Sequence, residues 1–418
     1  FTSAKMSKLA IEGGKPVRKR PFPTIDDKSG RTLGKEEAKA ASEVIMSGRL
    51  FLYGGTKVRK FEKEFARRMG VSHGIASTSG TAAIHVALGA LGVSPGDEVI
   101  TSPITDMGTI IPAIFQGAVP IFADVSGESL NVDPSDVKRK ITDKTAAIVP
   151  VHLFGLPADM GPIVDAAEER GIPVVEDCCQ AYLAEYGGKL TGSIGKMGAF
   201  SLQQSKHMTT GDGGMTITND DELAEKAALF ADKGWDRSKG REYVMLGINY
   251  RMTEVTAAIG LEQLKKLRST VESRRKSATR LTHQIEGIKG LNPPRPPKGV
   301  KHSYWQYPLI VDDQLGISPR RFSEALIAEG IPAPYSYIGE PMYLKTPLRE
   351  KKTFAKNQHP FDCPAYGKPI SYVRGLCPNA EDVLKRLIVI PWNEKYTKGD
   401  VDDIAEAIQK VAAHSHQF

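Results

Sequence analysis

One lysine, Lys206, stands between a small polar run and a glycine-rich loop in "SLQQSKHMTTGDGGM" (201–215). A lysine beside glycines suits phosphate binding when Gly-Lys is followed by Ser or Thr at the start of a helix. Here the Gly-Lys pairs at Lys15, Lys35, Lys189, Lys196 and Lys368 are followed by Pro, Glu, Leu or Met, and 211–216 lacks the third glycine of a dinucleotide fingerprint. The chemistry left is that of an amine nucleophile. A lysine kept partly neutral by desolvation or by neighbouring positive charge forms Schiff bases with carbonyl groups; a solvated surface lysine is the other reading.

Three further segments offer partners. In "STSGTAAIHVAL" (77–88) a Ser-Gly-Thr turn precedes an apolar helix. Unpaired N–H groups at a helix start attract an anion, with Gly80 admitting a phosphate and Thr81 adding a hydroxyl, or Ser79 simply caps the helix. "IPVVEDCCQA" (172–181) ends an apolar run on Glu176-Asp177. A carboxylate there needs a partner, and a pyridinium nitrogen, held protonated as an electron sink in pyridoxal enzymes, would serve; capping by Asp177 is the alternative. "GINYRM" (247–252) presents Asn249 and Arg251 before a long helical stretch, to contact an anion or to form a turn. Ser201 adds a second hydroxyl for a phosphate.

These residues need elements to hold them. Short apolar runs bounded by Gly, Pro or Asp predict strands at 98–101, 120–123, 146–151, 173–176, 199–202 and 215–218. Helical spacing lies between them at 81–91, 134–141 and 160–170. This alternation predicts an α/β fold with a mostly parallel sheet covered on both faces, and in such sheets ligands sit at the carboxyl ends of the strands. Beyond Asn219 the pattern predicts helices at 220–233 and 253–285, the second with Leu261, Leu264, Leu267 and Val271 on one face and long enough to bridge domains. A smaller α+β unit follows, with a strand at 304–311, a helix at 319–329, irregular chain over about 331–378 and a last helix at 398–413.

At 418 residues the chain has room for two domains. No apolar run approaches a membrane span and the start lacks a signal-peptide core, so the expected address is cytoplasmic. Phe1–Lys5, ahead of Met6, read as residues added for expression. The cysteines Cys178, Cys179, Cys363 and Cys377 form no C-x-x-C, which points to neither a disulfide framework nor a zinc site. A net charge of +7 with dispersed basic residues, apart from clusters such as Arg274-Arg275-Lys276, reads as a solvated surface and not a nucleic-acid site.

The order of the segments is more specific than any one of them. Ser-Gly-Thr, Glu-Asp-x-x-Gln, Ser-x-x-x-x-Lys-x-x-Thr-Thr-Gly-Asp-Gly-Gly and Gly-x-Asn-x-Arg-Met, with "FEKEFARRMGV" (61–71), "LGVSPGDEVI" (91–100), "VHLFGLPADM" (151–160) and "ITNDDELAEKA" (217–227), resemble the DegT/DnrJ/StrS-type pyridoxal-phosphate aminotransferases of keto-sugars and keto-cyclitols. The resemblance runs from about Leu33 to Ala413. It implies an aspartate-aminotransferase-like architecture (fold type I), with a large cofactor-binding domain over 1–275, including an arm to about residue 32, and a small α+β domain over 276–418.

By resemblance, Lys206 forms the internal aldimine with pyridoxal 5'-phosphate and shuttles the proton. Asp177 pairs with the pyridine nitrogen, and Gln180 bonds the ring hydroxyl. Ser79, Gly80, Thr81 and Ser201 bind the phosphate, helped by Asn249 from the other subunit of a homodimer. Glutamate or glutamine is the implied donor and a keto-sugar or keto-cyclitol the acceptor. Three positions depart from the family pattern: Asp106 in "SPITDMGT" (102–109), where relatives stack an aromatic on the cofactor; Cys179 for Ala; and Tyr182 for His. Asp106 either lies near the cofactor or caps the following helix. Specificity is expected around Tyr182, Trp235, Tyr304, residues 335–343 and the second chain. Two rivals remain. A sugar dehydratase of the family carries histidine in place of the lysine, which draws attention to His207; a regulatory or nucleic-acid-binding relative would lack the lysine, the aspartate or the phosphate cradle.

Overall fold

Two helices precede the first strand in the computed structural model, which describes residues 7–415 other than Glu128; Phe1–Lys5 lie outside the described residues. Helix α1 (Lys35–Ser47) starts where Glu37 Oε2 accepts the Gly34 N–H (2.8 Å). Helix α2 (Lys57–Met69) buries Val58, Phe61, Phe65 and Met69, a helical stripe that seats it on the core. Its Thr56 start has no side-chain cap of its own.

A long alternation follows: β1 (His73–Ser77), α3 (Gly80–Ala90), β2 (Glu98–Thr101), α4 (Met107–Phe115), β3 (Val119–Phe122), α5 (Pro134–Lys140), β4 (Thr145–Val149), α6 (Met160–Glu168), β5 (Val175–Asp177), β6 (Met197–Ser201) and β7 (Gly214–Thr218). The strands pair in the order β3-β2-β4-β5-β6-β7-β1, with β4 and β5 joined through the bridges Ile148–Val174 and Val151–Asp177. All neighbours are parallel except β7, which runs against both β6 and β1. The anticipated strands fall within two residues of those observed. Strand β1 was not anticipated, because "HGIAS" holds one β-branched residue and takes its register from β7 far along the chain.

Helices α7 (Asp221–Ala231) and α8 (Glu254–Ile285) come next. The first half of α8 packs Leu264, Leu267 and Val271 with Phe61 and Phe65. Its last turns put Ala278, Leu281 and Ile285 into a different core with Tyr307, Leu309 and Ile408. One helix thus spans both cores, as its length suggests. The second core covers an antiparallel sheet of Leu291–Asn292, Gln306–Val311 and Leu387–Pro391, backed by helices Pro319–Ala328 and Lys398–Ala413.

Within the stretch expected to be irregular lie a short helix, Thr346–Arg349, and the turn Met342–Leu344. Helix Pro378–Arg386 and strand Leu387–Pro391 had gone unanticipated. That helix has no local cap; the Asp124 carboxylate, after β3, takes the N–H groups of Asn379 and Ala380 at 2.9 Å each. Leu9, Ile11, Val17 and Phe22 pack on the second core, and the chain then runs to the 201–206 loop, where Gln204 Nε2 donates to the Ile25 carbonyl (2.8 Å). The buried Glu329 carboxylate accepts the N–H groups of Ala10 (2.9 Å) and Val17 (3.0 Å) and pairs with the buried Lys410 ammonium (2.9 Å). The basic cluster is not a surface feature: Arg274 is buried on Glu394 and Arg275 donates to the carbonyls of His302 and Leu183, so only Lys276 of the three is solvated. No helix among the described residues is long and apolar enough to cross a membrane.

Candidate active site

Asp177 is the last residue of β5 and Ser201 the last of β6, while Ser79 and Gly80 follow β1; all lie at the carboxyl edge of the sheet. Between β6 and β7 the chain doubles back, with Leu202 N–H on Gly213 O (2.8 Å) and Thr210 N–H on Leu202 O (3.0 Å). The closure lifts Lys206 over the strand ends. The glycines answer to space: a Cβ on Gly214 would lie 1.9 Å from the Ser79 carbonyl oxygen, and one on Gly80 would lie 2.6 Å from Ser201 Cβ and 2.9 Å from Cys179 Sγ. Side chains at either position would wedge the loop off the start of α3.

Ser79 caps α3, its Oγ accepting the Ala82 N–H (3.0 Å), and the first-turn N–H groups of Gly80 and Thr81 have no acceptor within the helix. The capping reading is realised, and it leaves the donors an anion would need open, since the cap fills a different one. Ser201 is buried beside Gly80.

Asp177 is buried. Its Oδ2 accepts the Thr109 hydroxyl (2.8 Å) and its Oδ1 the Cys179 N–H (3.0 Å), leaving each oxygen a further lone pair. The neighbouring Glu176 does different work. It accepts N–H groups from Gly192, Ile194 and Gly195 (2.7–2.8 Å) and faces His152 Nε2 at 3.0 Å. His152 Nδ1 accepts the Ala158 N–H (3.0 Å), so Nε2 carries the proton and donates to Glu176. The cluster of His152, Glu176 and Cys178 is thereby a hydrogen-bonded hub that pins the end of β5, with its imidazole lone pair already used. Gln180 Oε1 accepts the Phe154 N–H (2.7 Å), which fixes the amide with Nε2 toward the Tyr337 hydroxyl at 3.4 Å.

Lys206 is only partly exposed, and its Nζ lies 4.0 Å from the centroid of the Trp305 ring. Burial lowers its pKa from 10.5, against an opposing pull from Cys179, Asp177 and Asp106; of these the Cys179 thiol is pushed well up by burial and stays protonated. The amine is thus easier to deprotonate than a surface lysine, yet it sits beside two carboxylates. Asp106 caps α4, its Oδ1 accepting the Gly108 N–H at 2.7 Å, and its charge still reaches Lys206. The capping reading of Asp106 is realised.

Other positions moved from expectation. Tyr182 is fully buried against Phe65 and Phe200 with its hydroxyl on the Ser201 carbonyl (2.7 Å), so it braces β6 and does not line a substrate loop. Tyr304 and Tyr343 are also buried, while Trp235 stacks on Arg237 (3.7 Å). Arg251 is committed to Asp232 and is no free anion ligand. His207 is buried with Nε2 on the Ser303 carbonyl (3.0 Å), and burial, aided by Arg274, holds its pKa well below 6.5. Asn249 is exposed and bridged to Asp232 through the backbone. Thr109, Phe154, Trp305 and Arg31, whose Nη2 donates to the Lys206 carbonyl (3.1 Å), were not singled out from sequence. Thr109 lay inside "SPITDMGT" and was legible as a hydroxyl beside Asp106; nothing local tied the other three to Lys206.

The residues fit pyridoxal phosphate: open helix-start donors with Gly80 and two hydroxyls for a phosphate, a buried carboxylate with lone pairs to spare for a ring N–H, and an enclosed amine. Fold and site together define a fold type I pyridoxal-phosphate enzyme. The model of the DegT/DnrJ/EryC1/StrS aminotransferase family matches residues 31–409, and the chain belongs to that family. It is 34% identical over 334 residues to a putative L-glutamine:3-amino-2,3-dideoxy-scyllo-inosose aminotransferase of Micromonospora echinospora, covering 78% of each chain. Among solved structures it is similar to an aminotransferase from Psychrobacter cryohalolentis (TM-score 0.82, 31% identity, 93% of this chain and 99% of that one). It is also similar to a GDP-4-keto-6-deoxy-D-mannose-3-dehydratase of E. coli with bound hydrated PLP (TM-score 0.79, 25% identity, 93% and 99%).

Proposed function

We propose that this aminotransferase takes its amino group from glutamate or glutamine and passes it to a cyclic keto-polyol, a keto-sugar or keto-cyclitol. The observation that carries the reading is the enclosed, pKa-lowered amine of Lys206 beside Asp177. When bound, the cofactor supplies an aldehyde for the amine and a pyridinium ring that draws electrons from the substrate. Asp177, oriented by Thr109 and the Cys179 N–H, would hold the ring proton. The N–H groups of Gly80 and Thr81 and the hydroxyls of Thr81 and Ser201 would hold the phosphate, and Gln180 Nε2 would donate to the ring oxygen. Lys206 would take the proton from the donor's α-carbon and deliver it to the cofactor carbon that had carried the aldehyde, and run the same transfer in reverse for the acceptor.

The dehydratase reading needs a histidine in the lysine's place, and His207 instead turns its ring to the Ser303 carbonyl. The acceptor class is supported by similarity to a putative aminotransferase of a scyllo-inosose.

We assign Asn249 to the phosphate of a second copy. It sits in a segment that exposes Tyr243, Val244 and Leu246, apolar side chains suited to a homodimer contact. We keep the division into residues 1–275 and 276–418 as a proposal, with the arm crossing it, since Leu9 and Phe22 pack with Tyr307 and Ile408 of the second range.

The direct test is borohydride treatment of the coloured enzyme, expected to bleach it and fix the cofactor's mass on the Lys206 peptide. Amino acids are then screened for conversion of bound pyridoxal to pyridoxamine phosphate, and cyclic ketones for the reverse. A Lys206→Ala protein with unchanged colour and turnover would reject the assignment.

A further inference from the structure

The segment before α1 brackets the Lys206 loop at three points. Gln204 Nε2 donates to the Ile25 carbonyl (2.8 Å), Arg31 Nη2 donates to the Lys206 carbonyl (3.1 Å), and the Thr32 hydroxyl and the Thr209 N–H share Gln263 Oε1 (3.3 Å each). The segment is itself anchored, with Asn393 Nδ2 on the Gly30 carbonyl (2.9 Å) and Lys266 Nζ on that of Thr32 (2.9 Å). Arg31 is 4% exposed, and its Nε and Nη1 have no partner among the described residues. The carboxylate that acts on it, Glu394, is already paired with Arg274 (2.7 Å). A buried guanidinium with two idle nitrogens lowers stability. Among the described residues its one side-chain hydrogen bond falls on the carbonyl of the reactive lysine.

Resting on the transaminase reading, we propose that Arg31 is a positioning residue for Lys206: from the N-terminal arm it fixes the lysine's main chain, and with it the direction from which the amine meets a carbonyl carbon and the substrate proton. The lysine N–H is held on the Gln203 carbonyl (3.0 Å), so with Arg31 on the lysine carbonyl both polar groups of that main chain are tied. The long side chain turns from this fixed base, and a shift of the base is carried to Nζ. Misplacement of a reacting group by about 1 Å can lower a rate about a hundredfold. Arg31 acts here by its hydrogen bond and not by its charge, since the shift of the amine comes from burial, Cys179, Asp177 and Asp106. An apolar side chain of similar length would fill the same space and relieve the buried charge. Stability and chemistry therefore part when Arg31 is replaced.

The test reads stability and reactivity separately. Cofactor-free Arg31→Met protein should melt at or above the wild-type temperature. Pyridoxal phosphate added to it should develop the enzyme's colour about tenfold more slowly, and kcat should fall about tenfold with both KM values within about twofold. Arg31→Lys keeps a shorter donor for the carbonyl and should lose about threefold in both rates. The midpoint of the spectral pH titration should stay in place in both variants. Wild-type rates in either folded variant overturn the proposal, as does a shifted midpoint, which would make Arg31 act by its charge. A melting temperature that falls together with the rates overturns it too, since a loosened fold would then account for the loss. Should Arg31→Met fail to fold, Arg31→Lys decides by the same readings. A wild-type enzyme that no amino donor converts counts against the transaminase reading instead, and the rate of colour development still decides the role of Arg31.

Discussion

Lys206 concentrates a conflict between burial and charge. Its folded pKa lies below 10.5, its value in the unfolded chain, so below the folded pKa folding pays a constant penalty for a desolvated ammonium. Between the two values the unfolded chain binds the extra proton, and stability rises with pH. Lys206→Met should therefore raise the melting temperature of the cofactor-free protein at neutral pH, an advantage that shrinks as the pH climbs towards 10.5; calorimetry across that range checks it. Asp106 acts in the opposite direction on the same amine while it caps α4. Asparagine keeps the cap but drops the charge, so Asp106→Asn should leave stability nearly unchanged and lower the midpoint of the coloured enzyme's spectral pH titration. Asp106→Ala adds a cap loss of about 1 kcal/mol. An unmoved midpoint in the Asn variant, with cofactor bound, would show that the charge does not reach the amine.

Elements here are often capped from far away. The N-terminus of α2 is closed by Glu254, the first residue of α8, whose carboxylate accepts the N–H groups of Thr56 and Lys57 (2.6 Å each) and of Val58 (2.9 Å). Glu254→Ala strands three helix-start donors and should cost about 3 kcal/mol, read from the urea midpoint, while Glu254→Gln retains one acceptor oxygen and should cost less. Asp124 does the same for helix Pro378–Arg386. Strand-and-helix alternation was legible because its hydrophobic period is local. The helix at 378 and the strand β1 were not, because their start signal or register partner lies more than a hundred residues distant.

For the whole molecule, the exposed apolar run at 243–248 and Asn249 give the chain an unfinished edge. Asp232 organises it, accepting Tyr53 (2.8 Å), Arg237 (2.8 Å) and Arg251, with Arg237 between the Tyr53 and Trp235 rings at 3.8 and 3.7 Å. If Asn249 completes a neighbour's phosphate site, mixing Lys206→Ala with Asn249→Ala protein under subunit exchange should restore part of the activity, since each hybrid holds one intact site. Absence of recovery, with exchange verified, would place Asn249 in its own chain's site or in none.

What the sequence by itself determined was the set of chemical groups and their order: the amine of Lys206, the carboxylate of Asp177, the Ser79-Gly80-Thr81 helix start, and the alternating strands that end at them. These follow from residue type and short-range periodicity. The tertiary structure alone decided which groups face one another. It made Glu176 a structural hub while Asp177, one residue on, points to Thr109; it buried Tyr182 and His207; and it brought Trp305 and Arg31 to Lys206 from distant parts of the chain. Those outcomes depend on desolvation and on partners supplied by packing, neither of which is encoded in local spacing.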